Sequence, residues 1–215
     1  MFFLKKFALW DRKRGIRAIV LALFLMFCGQ FLSFGVRSEN LSEKVLRLHI
    51  LANSDTKEDQ AIKLQVRDRI LQEAAGLLDS VDSPLQAEEI LREKLPSLLQ
   101  SARETVQNCG KEQEISGGFC TEYFPTRTYT DREGKTYTLP AGTYRSLTIR
   151  IGEAEGHNWW CVMFPSLCLP AVSENVESSF TQEENDLIQT DETDYRFRVW
   201  EWTQQAIQWV QEWQW

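Results

Sequence analysis

The chain has 215 residues, 43% of them apolar, a net charge of −7 and two histidines. That length holds one ordinary domain plus extensions. Residues 1–36 carry six basic side chains against Asp11, a local charge of +5, which leaves −12 on the rest of the chain. A body that acidic repels phosphate, so nucleic acid is not an expected partner. Two histidines leave little material for a metal or acid–base centre, and no cofactor is expected.

Residues 1–17 form a basic segment, and Ala18 to Val36 contains no charge at all. At about 1.5 Å per residue that stretch nearly spans a hydrocarbon core of ~30 Å, and the basic run holds its front end in the cytoplasm. Segment 18–36 is therefore a transmembrane anchor or a secretory signal. Ser33 and Gly35 offer small residues for a cut before Val36. Either way residues 37–172 form an exported domain.

Export bears on the cysteines. Cys28 lies inside the apolar segment as a bystander. Cys109, Cys120, Cys161 and Cys168 are an even set in an oxidising space. Pairs close in sequence are favoured, Cys161 with Cys168 and Cys109 with Cys120. A four-cysteine zinc site fits poorly, because short Cys-x-x-Cys spacings are absent.

Val45 to Leu51 alternates as a strand, with Leu46, Leu48 and Ile50 on its buried face. His49, on the other face, reads as a satisfied polar residue. Asp55 with Glu58, or Thr56 with Asp59, can cap the helix that follows. Its stripe of Ile62, Val66, Ile70, Ala74 and Leu77 runs over about 58–78. Ser83-Pro84-Leu85-Gln86 starts the next helix. Pro96 either kinks that helix or begins another, and Gly110 ends it.

Strands are expected over 114–124, 126–130, 135–139, 144–151 and 158–164, with turn signals between them. The fold class is α+β: a leading strand, two to three helices, then a mainly antiparallel sheet. Residues 173–194 read as an acidic mobile linker. In 195–215, residues 195–199 alternate like a short strand, and an amphipathic, tryptophan-rich helix follows.

Catalytic readings are weak. Cys161 and His157 on one strand stand about 13 Å apart, beyond proton-transfer reach. Glu153 and Glu155 sit among glycines and read as solvated charges rather than a glycosidic pair. No catalytic residue is assigned. An exported hydrolase using Cys161 or the Glu153/Glu155 pair is the runner-up, and a tethered structural or adhesion module a third reading. Trp159 and Trp160 point to opposite faces of a strand, so one can fill the core while the other reaches a partner. Arg127 and Asn158 are further contact candidates.

The blocks RLHILANSDTKEDQAIKLQVRDRIL, YFPTRTY and LPAGTYRSLTIRIGEAEGHNWWCVMFPSLC, in that order over about 45–170, resemble the stage II sporulation protein R family of endospore-forming bacteria. The resemblance implies a signal made in the forespore and exported into the space between two membranes. There it is held to activate a membrane-embedded, aspartic-type protease of the mother cell, which processes a sigma-factor precursor. On that basis the chain is a protease ligand and not an enzyme.

Overall fold

The structure is a computed structural model that describes residues 2–78, 81–130, 134–165, 180–189 and 195–212, with side chains from residue 14 to 210. The chain divides into two compact units, Met1–Arg37 and Ser38–Trp215. The first is occupied by most of helix α1 (Phe2–Glu43). Its stretch from Arg14 is long and apolar enough to cross a membrane. Leu21, Leu25 and Leu32 on it are exposed.

The second unit is α+β. Strand β1 (Leu46–Leu51) is followed by α2 (Lys57–Leu78) and α3 (Pro84–Asn108). Then come β2 (Ile115–Phe124), β3 (Arg127–Thr130), β4 (Thr136–Leu139), β5 (Gly142–Ile151) and β6 (Asn158–Phe164). A short helix α4 (Gln182–Ile188) and the longer α5 (Tyr195–Glu212) follow.

The four-stranded sheet has the order β2-β5-β1-β6, and β3 and β4 form a separate hairpin. β1 lies in the middle, parallel to β5 and antiparallel to β6. β2 runs antiparallel to β5. The sheet is mostly antiparallel, with one parallel pair created by the leading strand.

Side chains alternate across the sheet, and this sorts the sequence into two faces. Leu46, Leu48, Ile50, Leu147, Ile149, Cys161 and Met163 point toward α2 and α3 and are buried with Ile62, Val66, Ile70, Leu91 and Leu98. Burying one such Leu or Ile contributes about 1.5–3 kcal/mol, so this layer holds the fold. The opposite face carries Arg47, His49, Cys120, Glu122, Ser146, Thr148, Asn158 and Trp160.

Local signals act as expected at most ends. The Asp59 amide donates to Thr56 Oγ1 at 3.2 Å, so Thr56 caps α2. Ser83 caps α3, and Pro84 takes its first turn. Pro96 lies inside one continuous α3, so no second helix begins there. Gly110 has φ +75° after the last turn.

Two segments depart from the sequence reading. Residues 182–188 of the acidic stretch are helical rather than linker. Thr181 and Glu184 close a capping box, and Leu187 and Ile188 are buried. Residues 195–199 are the first turns of α5, not a strand. Phe197 and Trp200, spaced three apart, bury one helical side there, and that side decides the conformation.

Candidate functional site

The sheet face away from α2 and α3 gathers polar groups from all four strands. Glu122 of β2 stands at the centre. His49 Nδ1 lies 2.9 Å from Glu122 Oε2, and Thr148 Oγ1 donates to Oε1 at 2.6 Å. Ser146 Oγ donates to the same carboxylate oxygen. Leaving water pushes the Glu122 carboxyl up. The three hydrogen bonds outweigh that and hold it at about 2.

His49 Nε2 lies 3.0 Å from Asn158 Oδ1, so each ring nitrogen faces a side-chain oxygen. Trp160 of β6 stacks on His49 with centroids 5.8 Å apart and 27° between planes. The Arg127 guanidinium, from β3, lies 4.5 Å from the Trp160 ring. Arg127, Trp160 and His49 thus form a stack that reaches from the exposed end of β3 down to the sheet.

Beneath the hairpin, Arg47 is fully buried. Its guanidinium carbon lies 4.1 Å from the Phe124 ring, 4.8 Å from Tyr144 and 5.6 Å from Tyr129. Nη2 donates to the Tyr129 hydroxyl, while Nε and Nη1 have no hydrogen-bond partner. Three electron-rich ring faces offset part of the cost of burying this charge. Burial also pushes the Tyr144 hydroxyl far up, and it donates to the Pro140 carbonyl at 2.7 Å.

The residues singled out from sequence fall into distinct places. Asn158, Trp160 and Arg127 converge on one face. Trp159 turns to the other, packs on the helix-side core, and has the Arg67 guanidinium 4.4 Å from its ring. Cys109 and Cys120 are both free thiols, so their expected pairing is not formed. Cys109 ends α3 near Gln65, while Cys120 sits mid-strand, with Sγ 3.2 Å from Thr148 Oγ1. Sequence closeness misled because Cys120 is the sixth residue of β2 and its Sγ turns to Ser146 and Thr148, on the sheet face away from the helix that Cys109 caps. Cys161 is only 2% exposed and is not among the free cysteines, while Cys168 lies outside the described residues.

No nucleophile and base are drawn together by these contacts. Cys161 faces the helices, and the exposed His157 pairs with Asp55. Cys120 reaches hydroxyls, while both His49 nitrogens are occupied. Glu153 and Glu155 are exposed on the β5–β6 loop, which is pinned to residues 52–54. Gly156 N donates to the Ala52 carbonyl at 3.0 Å and Glu155 N to the Asn53 carbonyl at 3.2 Å. Gly156 must be glycine there, since an added Cβ would stand 2.3 Å from the Ser54 oxygen. Among the described residues no three His, Cys, Asp or Glu side chains converge to hold a metal ion. The face is built for polar and aromatic contact.

Sequence reasoning missed Glu122, Ser146, Thr148, Arg47 and Tyr129. The available signal was an alternation of polar side chains, 47 and 49, 120 and 122, 146 and 148, on strands whose other face is apolar.

The family model for stage II sporulation protein R matches residues 42–174, which includes every residue of this face. The stage II sporulation protein R of Bacillus subtilis (strain 168) is 32% identical over 190 residues, covering 81% of this chain and 83% of that protein. No solved structure matches significantly. The chain belongs to the stage II sporulation protein R family.

Proposed function

We propose that this chain is an exported sporulation signal that activates a membrane-embedded, aspartic-type protease of the mother cell, so that a sigma-factor precursor is cut. Family membership over 81% of the chain carries the reading. The apolar front helix supports export across the forespore membrane, either as a cleaved signal or as an anchor. The protein acts as a ligand and supplies no chemistry. We place its contact surface on the Arg127–Trp160–Asn158 side of the sheet. A half-buried tryptophan there, flanked by an exposed guanidinium and an amide, has the composition of an interface anchor. A Cys161–Cys168 bridge would fasten the end of β6 behind it.

The test is reconstitution in a heterologous cell. The protease and the precursor are co-expressed with and without this protein, and cleavage is read on a gel. Processing that needs the exported chain is the expected result. A Cys161→Ser chain that folds should still activate, which would remove Cys161 as a nucleophile. Trp160→Ala and Arg127→Ala should each lower processing at least about tenfold, the loss expected of a hot-spot side chain. No processing, with all components exported and folded, would sink the reading.

A further inference from the structure

Strand β2 lies at one margin of the four-stranded sheet, with β5 on one side and, among the described residues, no strand on the other. The register fixes which of its backbone groups stay open. Gly152 N donates to the Glu114 carbonyl at 2.8 Å, and pairing continues without a shift from Ile115 opposite Ile151 to Phe124 opposite Gly142. Hydrogen-bonded and non-hydrogen-bonded pairs alternate along an antiparallel ladder. Even-numbered residues of β2 therefore turn N–H and C=O toward β5, and odd-numbered ones turn them outward. Arg103 Nη2 takes up the outward carbonyl of Ile115 at 3.2 Å. Among the described residues, nothing takes up the outward groups of Gly117, Phe119, Thr121 and Tyr123, and no residue from 116 to 123 is buried.

Folded proteins guard such margins with lysine, proline or a bulge. Residues 115–121, ISGGFCT, carry no charge and no proline, and their ladder has no bulge. The strand also matches itself when turned end for end. Set antiparallel about a two-fold axis at Cys120, Thr121 faces the second copy's Phe119, Glu122 its Gly118 and Tyr123 its Gly117. The bulky half of each strand meets the small half of the other, and no two acids are opposed. The chain's own packing does not require glycine at 118, since an added Cβ would meet no atom within 4 Å. The space left there suits the second copy's Glu122. Cys120, whose backbone groups turn to β5, falls at a non-hydrogen-bonded pair, where facing α-carbons stand about 4.5 Å apart. Its thiol is exposed and free.

We infer that β2 pairs antiparallel with the β2 of a second copy, about a two-fold axis at Cys120, and joins two four-stranded sheets into one. Backbone hydrogen bonds between the outward groups supply the affinity, as in strand addition to an open sheet edge. The fit of Glu122 to Gly118 sets the register. The same patch serves both copies, so assembly closes at two. The inference rests on the strand edge and does not depend on which partner the chain activates.

The test uses the full chain in detergent micelles, carrying Cys28→Ala and Cys109→Ala so that Cys120 is the free thiol probed. Diamide reports facing thiols: each Cys120 gives one proton and one electron to the azo group, which becomes a hydrazine, and an S–S bond forms. A cross-linked dimer on a non-reducing gel, and a two-chain mass by light scattering before oxidation, are the expected results. Gly118→Glu opposes two carboxylates at both ends of the pairing and should lower cross-linking at least about fivefold. Gly118→Lys, which meets Glu122 instead, should retain it. Circular dichroism checks the fold of both. Thr121→Pro, which removes only an outward N–H, serves if the glutamate variant misfolds. A one-chain mass without cross-linking would overturn the inference. Cross-linking that Gly118→Glu or Thr121→Pro leaves unchanged would also overturn it, since the copies then meet through another surface.

Discussion

A carboxylate ringed by donors resists protonation, as Glu122 and Asp59 illustrate. Glu122 is held at about 2 by His49, Ser146 and Thr148 against the upward push of desolvation. Asp59 is held at about 2 by hydrogen bonds from Asn53, Ser54, Gln113 and Thr56, which outweigh its own desolvation. Both folded values lie below the ordinary ones, so each group stabilises the fold above about pH 4.5, and that stability is lost as pH falls toward 2. Thermal melts across that window should show a steady drop. Glu122→Gln should cost about 2 kcal/mol at neutral pH, as for a charged hydrogen bond, and flatten the acid dependence. An unchanged acid slope would mean that this carboxylate is not held as described. Arg47 predicts the opposite sign. Two of its donors are buried without acceptors, so Arg47→Met should be neutral or stabilising in chemical denaturation, as when buried charges give way to apolar side chains of like size. None of this was legible residue by residue. His49 alone reads as an ordinary strand histidine, and its partners Glu122 and Asn158 lie 73 and 109 residues away.

Elements were more legible than residues because their signals are local. The stripe of α2, the Ser83-Pro84 start of α3 and the alternation of β5 each state their own conformation. Helix α3 carries two testable terms of opposite sign. Ser83 accepts from the Gln86 amide at 3.2 Å, and Ser83→Ala should cost about 1 kcal/mol. Pro96 sits mid-helix without an N–H, and Pro96→Ala should stabilise by up to ~3 kcal/mol, read as a rise in melting temperature. A fall would mean that Pro96 itself helps fit α3 to the sheet. The two misread elements failed for stated reasons. The α4 capping box, Thr181 to Glu184, was present in the sequence, but the acidity of the segment masked it. The alternation of residues 195–199 looked like a strand, while the spacing of Phe197 and Trp200 served a helix.

At the scale of the molecule, strand order was the hidden quantity. β1 pairs with residues 145–150 on one side and 158–164 on the other, about a hundred positions along the chain, and no local pattern encodes that choice. Its consequence is that the leading strand becomes the spine of the sheet, and both the core and the polar face depend on it. Helix α5 has a different standing, since none of its described side chains belongs to the main core cluster. A chain stopped before Tyr195 should therefore still melt in one cooperative transition, at a lower temperature for want of the buried Phe197 and Trp200 contacts. The same truncation separates the two surfaces in function. If the Arg127–Trp160 side is the contact for the protease, the truncated chain still drives precursor processing. If processing stops although the truncated domain melts cooperatively, the contact lies on α5, and the sheet face is a structural network instead.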